Sequence, residues 1–265
     1  MIIDFDDIAS WEAGLTDALN HVVTDQVREK ISKTKLEYIE DTRDLLFNLA
    51  NKDLIIDVTL NWLSSNNIAA YHGTKLIDSE IESIKLNGLI PLESSQRITR
   101  LQRALSLHPK WLEVSTQLIE EIKNHGERNS AGKREGQVHL TLSRPGLINR
   151  FNHYLLFGSE FDLQVALTLL GQEGKQLLAN DGKSIIIKLS IPGRLALNAA
   201  HPYFSIDDIL ERGDVPNIID HFLKVWSYRL AYPDFHVPNL EVDCGMIFNR
   251  VISVDWILYI EIIGD

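Results

Sequence analysis

A single cysteine, Cys244, stands in 265 residues, so no disulfide framework can be built. One thiol also cannot supply a cysteine-based zinc site, and the nine histidines show no spacing suited to a metal. No stretch approaches the roughly 18 uncharged apolar residues that span a bilayer. Positive charge is scarce: 26 basic against 37 acidic residues leave a net charge of −11. Such a chain is poorly suited to broad, sequence-independent contact with a nucleic-acid backbone. The common catalytic signatures are missing as well. There is no GxGxxG, HExxH, CxxC or GxSxG, and LLANDGKS carries Leu177 where a phosphate loop needs its first glycine. The acidic start MIIDFDDIASWE lacks the basic region of a signal peptide. The expectation is a cytoplasmic protein with no metal and no membrane partner.

What is present supports a sizeable core, because 45% of the residues are apolar. The length fits one large domain, or a domain of about 200 residues with an appendage. Residues 7 to 66 read as helices. In LEYIEDTRDLLFNLANK, the positions Leu36, Ile39, Leu45, Leu46 and Leu49 recur at roughly helical spacing. IAAYHGT (68 to 74) reads as a short apolar strand. A helix then starts at Asp78-Ser79-Glu80 and closes at Gly88, a natural left-handed stop. Residues 93 to 125 read as further helix, and GERNSAGKREG (126 to 136) as a polar loop.

QVHLTLS (137 to 143) alternates as a strand, with His139, Thr141 and Ser143 on one face, and Pro145-Gly146 ends it. A helix is predicted over 157 to 171, with Ser159 at the N-cap and Asp162 completing a capping box. SIIIKLSIP (184 to 192) is a buried strand, residues 217 to 230 a helix, and the tail offers two more strands. This order predicts an α+β fold. The boundaries expected are an N-terminal helical region, 1–66, and a second domain, 67–265. Arg97, Arg100 and Arg103, then Lys133 and Arg134, form two basic clusters. They read as solvated faces, with a local basic groove as the alternative. Cys244 lies in an apolar strand and reads as a small core residue.

One stretch carries chemistry. In YHGT, His72 sits at a strand exit, where an imidazole can point into a cleft while its backbone is fixed. Gly73 then lets a flat ligand approach the main chain, whose N–H and C=O can bond an amide edge-on. YHGT, the Gly88-Leu89 that closes the next helix, and VHLT in the following strand resemble the ADP-ribosyltransferases. The likeness is to the diphtheria-toxin, poly-ADP-ribose polymerase and rifampicin-transferase branch, and it covers about residues 68 to 260.

The resemblance implies a split β-sheet core with a helical insertion, and NAD as a substrate. It implies that His72 bonds a ribose hydroxyl, that the Gly73 backbone grips the nicotinamide amide, and that Thr74 completes the motif. In VHLT, His139 replaces the family's stacking tyrosine, with Thr141 and Ser143 beside it. Tyr154, from HYLLF, would close the other side of the ring. The family's acid stabilises positive charge at the ribose. Glu160 is the first candidate here, Asp243 the second and Asp214 the third.

The implied activity is transfer of ADP-ribose to a protein or nucleic-acid acceptor, or to a small molecule. A bacterial toxin or phage-defence enzyme is the natural setting, and residues 1–66 could receive an antitoxin or regulator. An NAD-dependent RNA 2′-phosphotransferase is the alternative, with Arg100, Arg103, Arg134 and Arg144 for the phosphate. A catalytically inactive module that binds NAD or a partner is the other.

Overall fold

The computed structural model of the chain describes residues 1–125, 135–240 and 242–264. In chain order, β1 (Ile2–Ile3) precedes helices α1 (Glu12–Leu19), α2 (Asp25–Lys33), α3 (Ile39–Leu49) and α4 (Lys52–Ser64). Strand β2 (Asn67–Leu76) leads into α5 (Asp78–Asn87), α6 (Ser94–Leu105), α7 (Trp111–Val114) and α8 (Leu118–Asn124). Then come β3 (Val138–Thr141), α9 (Arg144–Asn149), α10 (His153–Phe157), α11 (Glu160–Asn180) and β4 (Lys183–Pro192). Helices α12 (Gly193–Ala199), α13 (Ile206–Glu211) and α14 (Asn217–Ala231) precede β5 (Gly245–Phe248) and β6 (Ile257–Ile262). The content is α+β, as the sequence predicts, at 58% helix and 15% strand.

The strands run in the order β5-β3-β2-β4-β6, with β1 pairing β2 in parallel. Strand β4 explains itself. Ile185, Ile186 and Ile187 are all fully buried, and a continuous apolar run is what a strand covered on both faces requires. On one side β4 pairs antiparallel with β6, Ile185 opposite Ile262 and Ile187 opposite Ile260.

The chain divides into two compact units. The first comprises Met1–Ala70, Thr141–Gly146 and Ser190–Met246, and the second Tyr71–Leu140, Leu147–Leu189 and Ile247–Asp265. This division differs from the expected break at 66/67, and α14 supplies the physical reason. Its residues Ile218, Phe222 and Trp226 recur every four positions and are buried, and the helix packs on α2, α3 and α4. The N-terminal helices therefore share a core with residues far along the chain. In that core Phe222 meets Phe5 at 5.2 Å and Trp11 at 4.9 Å, both edge-on. Arg229 grips Glu12 through two bonds of 2.6 and 3.2 Å, the bidentate geometry that arginine and carboxylate favour.

In the second unit, α6 and α8 pack on α11 through Leu101, Leu105, Leu118, Ile122, Val165 and Leu169. Gly88 closes α5 with φ +76°, which a side chain rarely tolerates. The next residue, Leu89, exchanges backbone hydrogen bonds of 3.0 and 2.9 Å with Ile252. A Cβ at position 88 would lie 2.0 Å from the Ile252 carbonyl oxygen. Gly88→Ala is therefore expected to destabilise the protein by roughly 1–3 kcal/mol. A shift of the urea midpoint to lower concentration checks it, and an unchanged midpoint would show that the turn can relax.

Candidate functional site

His72 lies near the middle of β2 and is half-buried. Its Nδ1 is 2.8 Å from the backbone carbonyl oxygen of His139. A carbonyl only accepts, so Nδ1 carries the hydrogen. Burial pushes the ring's pKa below its usual value, against a smaller opposing effect of that same bond. The result is a neutral imidazole fixed in one tautomer, with an unprotonated Nε2 able to receive a hydroxyl proton. Neighbouring backbone thus presets an acceptor at the position the YHGT reading singled out.

His139 is also half-buried, and its Nε2 donates to the Gln137 side-chain oxygen at 2.9 Å. Gly73 does not open onto free space. A Cβ there would meet the Leu147 methyl carbons at 2.7 and 2.9 Å, so the bare position receives a packed leucine. Alternation along β2 puts Tyr71 and Gly73 on one face and His72 and Thr74 on the other. Tyr154 packs against the cluster formed by Tyr71, Leu147, Leu155 and Ile186. Tyr154 therefore lies on the Gly73 side of β2, the face opposite His72. Within the second unit the structure brings the His72 ring to the His139 carbonyl.

Of the three candidate acids, Glu160 alone shares the second unit with His72; Asp243 and Asp214 belong to the first. Glu160 opens α11, where Ser159 Oγ accepts from the Phe161 N–H at 3.2 Å. Its Oε2 lies 3.5 Å from His153 Nε2, and the His153 ring leans on Tyr154 at 4.1 Å. Sequence pattern does not mark His153, which stands seven residues before Glu160 across a short turn. Asp243 and Asp214 are exposed.

Thr141 and Ser143 also lie in the first unit. The Thr141 hydroxyl is buried without a hydrogen-bond partner among the described residues. Ser143 is committed to Asp6, its Oγ donating to a carboxylate oxygen at 2.8 Å, while the Arg144 N–H bonds the other oxygen at 2.7 Å. Asp6 thereby anchors the start of α9.

The basic cluster on α6 is not a solvated face. Arg97 is buried and paired with Asp162, and Arg100 Nη2 donates to the Phe157 carbonyl at 2.9 Å. Arg103 forks onto Asp181 and reaches Glu80 at 3.1 Å. Lys133 and Arg134 lie outside the described residues. Cys244 is buried as expected, and burial, with Asp243 and Asp220 nearby, pushes its thiol up to about 12. A thiol held protonated in this way is no nucleophile.

Among the described residues, no group of three or more metal-ligating side chains clusters, and no helix is long and apolar enough to cross a membrane. No family model, curated protein or solved structure matches the chain.

Proposed function

We propose that the chain is an NAD-consuming ADP-ribosyltransferase in which His72 holds a ribose hydroxyl of NAD. The observation that carries this reading is the His72 ring, kept neutral by burial and aligned by the His139 carbonyl with its Nε2 as acceptor. The family resemblance supports it: strand, helix, Gly88-Leu89 and strand follow in the expected order. Thr74 shares the His72 face of β2. No metal is required, since the transition state needs only a nearby carboxylate to balance positive charge on the ribose. The acceptor is a macromolecule. Arg97, Arg100 and Arg103 point inward to partners of their own, which favours a protein over a nucleic acid and counts against the 2′-phosphotransferase. Helices α1 to α4 are the proposed seat of an antitoxin or regulator.

A second reading is a module that binds NAD or a partner without turnover. Leu147 seated over Gly73 favours it. Release of nicotinamide from NAD by the purified chain separates the two. The acid is tested by charge removal at constant shape. Glu160→Gln is expected to lower turnover at least about 10²-fold and Asp243→Asn less. The reverse order would move the catalytic acid to the segment before β5. If neither change matters, Asp214 is next, and an unaffected Asp214→Asn would leave the transferase reading without an acid.

A further inference from the structure

Helix α14 begins after Pro216, which has no side chain able to accept a hydrogen bond. The first helical N–H, that of Asn217, would otherwise lack an intrahelical partner. It donates instead to His201 Nε2 at 3.0 Å. A backbone N–H cannot also receive, so this bond exists only while Nε2 is unprotonated. A protonated ring would set N–H against N–H and add positive charge at the positive end of the helix dipole.

Burial lowers the His201 pKa, and among the described residues no charged group opposes it. Four residues into the same helix, His221 lies edge-on to Phe5 at 6.1 Å. Its pKa is also lowered, chiefly by burial. Asp220 and Lys224 of α14, Glu40 of α3 and Asp243 face His221; the three acids favour its protonated form and the lysine opposes it. Asp220 is itself held by Arg43 and Lys224.

We infer that His201 is an acid-sensitive cap that releases the first turn of α14 when it takes up a proton. Above about pH 6.5, the ordinary histidine value, folded and opened forms are both neutral at His201, and the opening equilibrium does not depend on pH. Below that value the opened form binds the proton first. Opening then rises by up to about tenfold per pH unit for one proton, until the lowered folded pKa is reached. His221 adds a similar dependence to any opening that exposes it. Because α14 carries the shared core of α2, α3 and α4, mild acid loosens the face on which those helices rest.

The experiment is hydrogen exchange by NMR on the full chain, following the amides of Asn217 to Asp220 from pH 7.5 to 5.0 with intrinsic rates divided out. It compares the wild type with His201→Gln, whose amide oxygen accepts at every pH. The expected result is equal protection at pH 7.5 and a steeper loss in the wild type below pH 6.5, by up to about tenfold per unit. Equal slopes in the two proteins would overturn the inference. If His201→Gln does not fold, the wild-type ring decides by its own NMR titration. A pKa below 6.5 with Nε2 unprotonated at neutral pH supports the cap; a pKa at or above 6.5 refutes it.

Discussion

Asp162→Asn is expected to destabilise the protein by about 3–5 kcal/mol, because it strands a buried positive charge. Arg97 and Asp162 are each only 1% exposed, and Arg97 Nε donates to Oδ1 at 2.8 Å. Nη1 of Arg97 donates to the Ile122 carbonyl at 3.3 Å, while Nη2 has no hydrogen-bond partner among the described residues. The second oxygen of Asp162 lies 4.0 Å from Arg100 Nη1. One carboxylate therefore answers two guanidinium groups. Arginine does not lose its proton, so the charge cannot be shed once the carboxylate is gone. Denaturant unfolding of the variant checks the magnitude, and a loss under about 1 kcal/mol would show that water reaches the pair. The double change Arg97→Met with Asp162→Leu is expected to recover most of the loss, since apolar packing can replace a buried ion pair.

His72→Ala is expected to cut NAD turnover at least about 10²-fold, the usual cost of removing one aligned hydrogen-bonding group from a reacting site. Stability should stay within about 1 kcal/mol, because the ring is half-buried and outside the apolar core. What the change takes away from the fold is the bond from Nδ1 to the His139 carbonyl. Kinetics and a melting curve on one preparation separate the two effects. A folded variant with full turnover would remove His72 from the site. A variant that loses activity only in proportion to its unfolded fraction would make the residue structural.

Much of the fold is legible from local pattern. IAAYHGT and SIIIKLSIP become the strands β2 and β4, since short β-rich apolar runs have few other uses. Residues 217 to 230 become α14, because an apolar stripe of period near four persists there. Pro145-Gly146 does follow the end of β3 at Thr141; what local pattern misses is that the pair also sits in the first turn of α9, which starts at Arg144, where a proline costs no hydrogen bond. The helix predicted over 157 to 171 does break at Gly171, at φ 60°, and a second helical stretch then runs on to Asn180.

Asp162 fits a capping box with Ser159 by spacing, yet its carboxylate turns inward to Arg97, 65 residues away in sequence. No local rule contains that partner. The same limit hides the sharing of one core by residues 1 to 70 and 190 to 246. At the candidate site, the sequence singles out His72 as an expectation, and the structure adds its tautomer through the His139 carbonyl. The sequence cannot show Leu147 filling the space at Gly73, because that contact depends on how α9 packs. The arginines of α6 illustrate the converse. Spacing alone cannot distinguish a solvated basic face from one whose members each have an internal acid or carbonyl.

The most direct measurement is NMR of the histidine ring nitrogens in the wild-type chain, with and without NAD at neutral pH. The expected spectrum has His72 neutral, protonated at Nδ1 and bare at Nε2, and saturating NAD shifts the Nε2 resonance as a ribose hydroxyl donates to it. A His72 ring protonated at Nε2, or one whose Nε2 signal is unmoved at millimolar NAD, would contradict the assignment of this residue to the NAD ribose.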